Sequence, residues 1–164
     1  MNLDIGCGPN KPEGFVGIDH FAFEGVAIVG KLEDPNTWHD IENDSCEIVR
    51  AHHVLEHFDG HDLIFIIEQA WKKLKDQGRF SVELPSKGSP NCGKDFTHKK
   101  KDWDEFSFQM WEKRDGEYII ERGPMYHIAG EFKLDGTAVN NNMDRSYVLT
   151  AIKTWEDYAE RVPG

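Results

Sequence analysis

Cysteine, long apolar runs and positive charge are all scarce in this chain of 164 residues. The three cysteines, Cys7, Cys46 and Cys92, are odd in number and widely spaced, which argues against a disulfide framework and favours a reducing compartment. The longest apolar run, Leu63–Ile67, is too short to cross a membrane. The first residues carry no charged segment followed by an apolar stretch, so no secretion signal is predicted. We therefore expect a cytoplasmic protein without a membrane partner.

Acidic residues outnumber basic ones, with 30 Asp and Glu against 19 Lys and Arg and a formal net charge of −11. A general nucleic-acid binder needs clustered positive charge, so this composition disfavours one. Hydrophobic residues make up 38% of the chain and aromatic residues 12%, which is too much for a disordered protein. The length suits a single domain with its own core, which we predict over residues 1–164.

Five short apolar segments precede residue 86 and predict an α/β unit. They are Leu3–Ile5, Phe15–Ile18, Ala27–Val29, Cys46–Ala51 and Arg79–Leu84. Because these segments do not alternate cleanly between apolar and polar residues, we predict strands that are buried on both faces of a parallel sheet.

The segment before the fifth strand has the periodicity of a helix. Its apolar residues fall on one face: Leu63, Ile66, Ile67, Ala70, Trp71 and Leu74. Asp59 is a candidate amino-terminal cap, and Lys72, Lys73 and Lys75 favour the dipole at the other end. We expect Gly78 to end this helix.

Residues 86–116 differ in composition and predict a lid or substrate-binding insertion. Residues 86–93 are rich in Gly, Ser, Pro and Asn, which indicates a loop. A short helix capped by Asp104, with Phe106, Met110 and Trp111 on its buried face, is expected next. The remaining residues, 117–164, predict C-terminal strands, of which the last two are antiparallel. These strands are Glu117–Ile120, Tyr126–Leu134 and Tyr147–Lys153.

The first strand ends in an acid and two glycines, in the order Asp4, Gly6 and Gly8. Glycines at a turn let a ligand approach the backbone closely. A second acid, Asp19, closes the second strand, where it can accept hydrogen bonds from a ribose diol. Two strand-end acids beside this turn predict a nucleoside ligand, although a plain tight turn is the alternative.

The run Leu3–Gly8 resembles the first motif of class I S-adenosylmethionine-dependent methyltransferases. Gly17–Asp19 is similar to that family's ribose-binding acid, Ala51–Phe58 to the segment after its fourth strand, and Trp71–Phe80 to its R-x-L-K-P-G-G turn. The four matches occur in the family's order and lie within residues 1–86, which the resemblance implies is the cofactor-binding half.

This resemblance implies a Rossmann-like α/β fold with a mostly parallel sheet and an antiparallel C-terminal strand. It also implies transfer of a methyl group from S-adenosyl-L-methionine to an O or N nucleophile. The residues implied to bind the cofactor are Asp4, Gly6, Cys7, Gly8, Asp19, His20, Ala51 and His52.

One departure from the family pattern is a very short connection between the first two strands. Only Lys11–Gly14 separates the turn from the second strand, whereas a parallel crossover normally needs a dozen residues or more. We therefore predict that the first helix is shortened or absent. A non-catalytic, degenerate member that binds the cofactor or a partner remains an alternative function.

The segment after the fourth strand contains His53, Glu56 and His57 in the spacing H-x-x-E-H. This is the inverted zinc-protease motif, but Phe58-Asp59-Gly60 interrupts the long helix that a zinc hydrolase needs, so this alternative is disfavoured. Family members that act on ubiquinone precursors or on the 3′-terminal ribose of RNA hold a divalent metal with a similar E-x-x-E-H segment. The RNA enzymes add a histidine, for which His98 is the candidate here.

The resemblance thus implies a divalent metal held by His53, Glu56, His57 and His98. The alternative is that His53 and His57 pack under the helix or shape the methionine pocket by hydrogen bonding, without a metal. For the methyl transfer itself, His53, His57 or His98 is the candidate base that takes the acceptor proton.

The acceptor is expected to contact residues 86–116. Lys99–Lys101, with Phe96 and Trp103, forms the one basic, aromatic cluster in the chain, which suits a small anionic or stacked molecule and leaves a nucleic acid possible in principle. No Asp/Asn-Pro-Pro-Tyr/Phe or Pro-Cys motif is present, which disfavours methylation of DNA bases at amino groups or at C5. The sequence indicates neither the acceptor nor the oligomeric state.

Overall fold

The computed structural model describes residues 1–90, 92, 95–114, 117, 118, 120 and 128–153. Nine strands are present in this part of the chain: β1 Asn2–Ile5, β2 Val16–Asp19, β3 Val26–Val29, β4 Cys46–His52, β5 Leu74–Pro85, β6 Lys113–Arg114, β7 Glu117–Tyr118, β8 Glu131–Val139 and β9 Asp144–Ile152. Helix α1 spans Gly60–Lys73. Short 3₁₀ turns occur at Pro35–Trp38, Leu55–His57 and Gln109–Trp111.

Seven of the strands form one sheet in the order β3-β2-β1-β4-β5-β9-β8, while β6 and β7 form a small ribbon. Strands β1 to β5 are parallel, and β9 runs antiparallel between β5 and β8. The strand order reverses between β1 and β4, the switch point at which open α/β sheets bind ligands. The predicted α/β fold, with its mostly parallel sheet and antiparallel C-terminal strand, is confirmed.

The apolar face of α1 packs into the main core, as its periodicity predicts. Ile66 and Ala70 are fully buried in one cluster with Leu3, Val49 and Phe80 from the central strands. Burying a side chain of the size of Ile66 stabilises the fold by about 1.5–3 kcal/mol relative to leaving it in water. No helix in the described residues is long and apolar enough to cross a membrane.

The other face of the sheet is only partly covered, so the prediction of strands buried on both faces is wrong for β4 and β5. Buried and half-exposed side chains alternate along them, and Arg50, His52 and Ser81 lie on the open face. Right-handed connections place the β1–β2 and β4–β5 crossovers on opposite faces of such a sheet. Residues 6–15 form turns only, so the helix that would cover the open face is absent, as predicted.

The end of α1 differs from the prediction. Helix α1 ends at Lys73, because Leu74 is already extended at φ −67° and ψ 144° and begins β5. Lys75 and Gly78 therefore belong to β5, in an irregular stretch between the pairs Cys46–Leu74 and Ile48–Arg79. Asp59 occupies the cap position, but its side chain makes no capping hydrogen bond.

The short helix predicted after Asp104 is a turn followed by the 3₁₀ segment Gln109–Trp111. The Asp104 carboxylate accepts hydrogen bonds from Phe106 N at 3.0 Å and Ser107 Oγ at 3.2 Å, which closes a local turn instead of starting an α-helix. Trp111 is buried as predicted, whereas Phe106 is exposed.

The bounds of the late strands differ from the prediction, since β8 continues past Leu134 to Val139 and β9 begins at Asp144, before the predicted Tyr147. The segment Glu117–Ile120 contributes only β7, and Ile119 lies outside the described residues, as do residues 126 and 127 of the next predicted strand. Strand β8 begins at Glu131 and pairs antiparallel with β9, as expected for the last two strands.

Candidate functional site

A cleft opens where β1, β2, β3 and β4 end, beside the switch point of the sheet. Its volume is about 200 Å³, and it is open to solvent on one side. The residues that line it are Gly6, Asp19, His20, Gly30, Lys31, Leu32, Glu33, Val54, His57 and Phe58. Three predicted cofactor residues, Gly6, Asp19 and His20, are thus on its wall.

The glycine turn after β1 is fixed against the end of β2. Gly6 N and Cys7 N both donate to Ile18 O, at 2.8 and 3.1 Å, and Gly8 N donates to the Asp19 carboxylate at 2.9 Å. Gly6 has φ +64°, and a Cβ there would lie 2.2 Å from Val54 Cγ2. Only glycine satisfies both restrictions, so the turn can approach a ligand with its backbone.

Asp19 is only 6% exposed, and two backbone amides donate hydrogen bonds to its carboxylate. Its Oδ2 accepts from Gly8 N and its Oδ1 from Phe21 N, each at 2.9 Å. A carboxylate has about four acceptor positions, so two remain for hydroxyl donors in the cleft. His20, beside it, is exposed with its Nδ1 3.4 Å from Asp19 Oδ1.

Asp4 and His52 belong to a polar network on the open sheet face. Arg50 Nη1 donates to both oxygens of the buried Asp4 carboxylate at 2.8 Å, and Arg50 Nη2 lies 2.8 Å from His52 Nδ1. Burial, together with the Arg50 charge, lowers the pKa of His52 to about 4. Asp4, Cys7, Gly8, Ala51 and His52 do not line the cleft, and their role in cofactor binding stays a prediction.

Three of the four predicted metal ligands come together next to this cleft. Glu56, His57 and His98 each present a ligand atom, and these atoms lie within 4.8 Å of one another. Glu56 is 1% exposed, and neither of its carboxylate oxygens accepts a hydrogen bond. Leaving a buried charge without hydrogen bonds costs several kcal/mol, so this carboxylate is suited to a cation or a proton donor that binds there.

The loop after β5 orients this cluster. Lys99 N and Lys100 N donate to Glu56 O at 2.8 and 3.2 Å. Thr97 Oγ1 donates its single hydrogen to the Asp95 carboxylate at 2.6 Å and lies 2.9 Å from His57 Nδ1. Thr97 must therefore accept from His57 Nδ1–H, which leaves the His57 Nε2 lone pair free for a proton or a metal.

His53 lies outside the group of Glu56, His57 and His98, because it precedes the 3₁₀ turn Leu55–His57. It follows β4 with φ +52°, and its backbone N–H still donates to Glu83 O at 2.7 Å. Its Nδ1 lies 3.6 Å from Glu56 Oε1, and its Nε2 faces Glu83 and Asp144 instead. The neighbouring Glu56 carboxylate raises the pKa of His53, with smaller contributions from Asp144 and Glu83.

The H-x-x-E-H spacing therefore spans a strand end and a 3₁₀ turn. No helix in the described residues carries this motif, so the zinc-hydrolase alternative has no structural support.

The basic, aromatic cluster of the insertion divides into two parts. Lys100 Nζ lies 4.9 Å above the buried Trp103 ring and 2.7 Å from Asp102 Oδ1, and both Lys100 and Trp103 line a second cleft along α1. Phe96 is 99% exposed and lines neither of the two clefts. Because the Trp103 ring is 1% exposed, it offers no open face for stacking a base.

Sequence reasoning did not single out Gly30–Glu33, Thr97, Glu83 or Asp144. The segment Gly30–Glu33 had a usable signal, since it follows β3 at the same sheet edge as the other cleft residues.

No protein-family model and no curated protein sequence matches this chain. Many solved structures match it. A S-adenosylmethionine-dependent methyltransferase from Archaeoglobus fulgidus is 15% identical, with a TM-score of 0.61 over 91% of this chain and 85% of the other. A chain of the complex between the Haloferax volcanii Trm112 methyltransferase activator and a protein described as a methyltransferase is 11% identical, with a TM-score of 0.61 over 93% and 82%.

A third match is the Haemonchus contortus phosphoethanolamine N-methyltransferase 1 in complex with phosphoethanolamine and S-adenosylhomocysteine. It is 10% identical, with a TM-score of 0.59 over 94% of this chain but only 39% of that one. At such low identities, the similarity establishes the fold and not the substrate. The chain has the Rossmann-like fold of the class I S-adenosylmethionine-dependent methyltransferases.

Proposed function

We propose that this protein binds S-adenosyl-L-methionine in the cleft beside β1 and β2 and transfers its methyl group to an O or N nucleophile. The observation that carries the proposal is that the buried Asp19 carboxylate and the Gly6 turn share one cleft with His57. Asp19 would accept the two ribose hydroxyls, and the Gly6 backbone would admit the methionine part of the cofactor.

His57 links cofactor binding to activation of the acceptor. It lines the cleft and also belongs to the cluster with Glu56 and His98. Methyl transfer needs in-line placement of the acceptor and the methyl group, and a base that takes the proton of the acceptor. With its Nδ1–H held by Thr97, His57 would receive that proton at Nε2.

A divalent cation also fits the cluster of Glu56, His57 and His98, and it is the alternative to His57 acting as the base, because one Nε2 lone pair cannot both ligate an ion and accept a proton. Two atoms that bind one ion at about 2.1 Å are about 3.0 to 4.2 Å apart for angles from 90° to 180°. The distance from His98 Nε2 to Glu56 Oε1, 3.9 Å, is too long for a hydrogen bond but lies in this range. Such an ion, when bound, lowers the pKa of a hydroxyl that it ligates. Imidazole-rich ligation favours Zn, Ni, Co, Fe or Mn over Ca.

The acceptor that suits the structure best is a small molecule, and the protein would act in the cytoplasm. The net charge of −11 and the buried Trp103 ring disfavour a nucleic acid. The neighbour from Haemonchus contortus binds phosphoethanolamine, and the neighbour from Haloferax volcanii is found with an activator protein. A small acceptor and a partner subunit are therefore both worth testing.

Calorimetric titration and a methyl-transfer assay test the proposal together. We expect the protein to bind S-adenosylhomocysteine but not NAD, because Lys11 stands where a dinucleotide turn has its third glycine. With a panel of hydroxyl and amine acceptors and labelled S-adenosylmethionine, we expect Glu56→Gln to lose transfer but keep S-adenosylhomocysteine binding. His61→Gln, an exposed histidine on α1, is the matched control.

Binding of NAD without S-adenosylhomocysteine would refute the cofactor assignment. Cofactor binding without transfer to any acceptor would instead support the degenerate, non-catalytic alternative.

A further inference from the structure

A second group of potential metal ligands lies on the other side of His53, outside the cofactor cleft. It consists of His53, Glu83 and Asp144, which follow β4, lie near the end of β5 and begin β9. These strands are neighbours in the sheet, and β9 runs antiparallel to β5, so two carboxyl ends and one amino end meet at one edge. The three ligand atoms lie within 4.8 Å of one another.

The two distances from His53 to the carboxylates are compatible with ligands around an ion. His53 Nε2 lies 3.4 Å from Glu83 Oε1 and 3.9 Å from Asp144 Oδ2. Neither distance is that of a good hydrogen bond, which would be about 2.7–3.2 Å. Both fall within the spacing of about 3.0 to 4.2 Å that two ligands of one ion have when each lies about 2.1 Å from it.

Asp144 supplies a second, independent observation. It is only 6% exposed, and its Oδ1 is buried without a hydrogen-bond partner. Its backbone is held in place by Asn140, whose Oδ1 accepts from Asp144 N and whose N–H donates to Asp144 O, both at 2.9 Å. Its other oxygen, Oδ2, is the one that faces His53, so an ion bound to this carboxylate would reduce the cost of leaving Oδ1 buried without a partner.

The other two side chains are also oriented before any ion binds. Ser146 Oγ donates to Glu83 Oε2 at 3.3 Å, which leaves Glu83 Oε1 directed at His53. His53 Nδ1 faces Glu56 Oε1 at 3.6 Å, so its Nε2 is the nitrogen available to this group.

From this geometry we propose that His53 Nε2, Glu83 Oε1 and the Asp144 carboxylate bind a divalent transition-metal ion, separate from the cluster of Glu56, His57 and His98. One imidazole and two carboxylates suit Mn, Fe, Co or Zn. Three protein ligands leave positions for water, and the ion would tie together the ends of β4, β5 and β9. The proposal does not depend on methyl transfer.

Metal titration in a background that lacks the other cluster tests this site. We use purified His98→Gln protein freed of metal by a chelator, and measure Mn²⁺ binding by electron paramagnetic resonance and calorimetry. We expect one bound Mn²⁺ per chain. Adding Asp144→Asn or Glu83→Gln should weaken its binding by at least about tenfold, since each variant removes a charged ligand. Asp62→Asn, an exposed acid on α1, should leave it unchanged.

Circular dichroism and thermal unfolding without metal identify any variant that fails to fold. If one of Asp144→Asn and Glu83→Gln fails to fold, metal binding by the other variant tests the proposal. The proposal is wrong if the His98→Gln protein binds no Mn²⁺, Co²⁺ or Zn²⁺. It is equally wrong if both Asp144→Asn and Glu83→Gln fold and bind the ion as tightly as their parent. In either case His53 would serve only as an ion-paired imidazolium between these carboxylates.

Discussion

Replacing Asp19 separates two functions that the structure assigns to one carboxylate. The first is structural, because its oxygens accept from Gly8 N and Phe21 N at 2.9 Å and so hold the glycine turn. The second is the proposed binding of the cofactor ribose. Asp19→Ala removes both functions, whereas Asp19→Asn keeps one oxygen and directs an amide NH₂ group at one of the two backbone donors.

The structure sets the size of each effect. A hydrogen bond to a charged group contributes about 1.5–3 kcal/mol, but Gly8 is only half-buried and water can replace part of this. We therefore expect Asp19→Ala to lower the free energy of unfolding by about 1–3 kcal/mol. Loss of the two ribose contacts should weaken S-adenosylhomocysteine binding by a further 1–3 kcal/mol, or about 5- to 150-fold in Kd. Asp19→Asn should have smaller effects of the same sign.

Urea unfolding and calorimetry with S-adenosylhomocysteine measure the two effects separately. Calorimetry is run well below the melting temperature of each variant, so that lost stability is not mistaken for lost affinity. Glu24→Gln, an exposed acid in the loop after β2, is the control. If folded Asp19→Ala protein binds within twofold of the wild type, Asp19 is structural only and the cofactor assignment fails.

Three other substitutions test the fold around the sites. Gly6→Ala should lower the free energy of unfolding in urea by about 2–4 kcal/mol, because its Cβ would lie 2.2 Å from Val54 Cγ2 and the backbone has φ +64°. An unchanged urea midpoint would contradict this. Because the pKa of His52 is lowered to about 4 in the folded protein, the unfolded state binds more protons, and the free energy of unfolding should fall as the pH drops from about 6.5 to 4. Because His52 is partly exposed, we expect this loss to be about 1–2 kcal/mol. The pH dependence should be absent from the His52→Gln variant when thermal unfolding is measured across this pH range. Glu68→Gln should lower the free energy of unfolding in urea by about 1–3 kcal/mol, since the carboxylate accepts from Trp111 Nε1 and two backbone amides. An unchanged free energy of unfolding would mean that water satisfies those donors.

The features that sequence reasoning found have local signals. The strand before Gly6 and the strand that ends at Asp19 are short apolar runs followed by glycine or acid, and both are present within one or two residues of the prediction. The resemblance implied a cluster of His53, Glu56, His57 and His98, and the last three of these residues do come together.

The features that it missed depend on contacts between distant residues. Leu74 continues the apolar periodicity of α1, yet its backbone is extended because it pairs with Cys46 in the sheet. Glu83 and Asp144 are 61 positions apart and meet only because β5 and β9 pair antiparallel at that end. No local pattern around Asp144 indicates this partner, so the second group of metal ligands could not be predicted.

The missing helix between β1 and β2 bears directly on which cofactor the cleft can hold. In a dinucleotide site that helix presents its amino terminus, with its free N–H groups and positive dipole, to a pyrophosphate. S-adenosylmethionine has no phosphate and carries a positive sulfonium, so it gains little from such a helix end. Here the Gly6 turn is held instead by Ile18 O and Asp19, on strands that remain intact without the helix. Without this helix, the cleft lacks the phosphate-binding helix end that NAD requires, but it keeps the ribose-binding carboxylate and the glycine turn. Comparing the binding of NAD with that of S-adenosylhomocysteine is therefore a direct test of the proposed function.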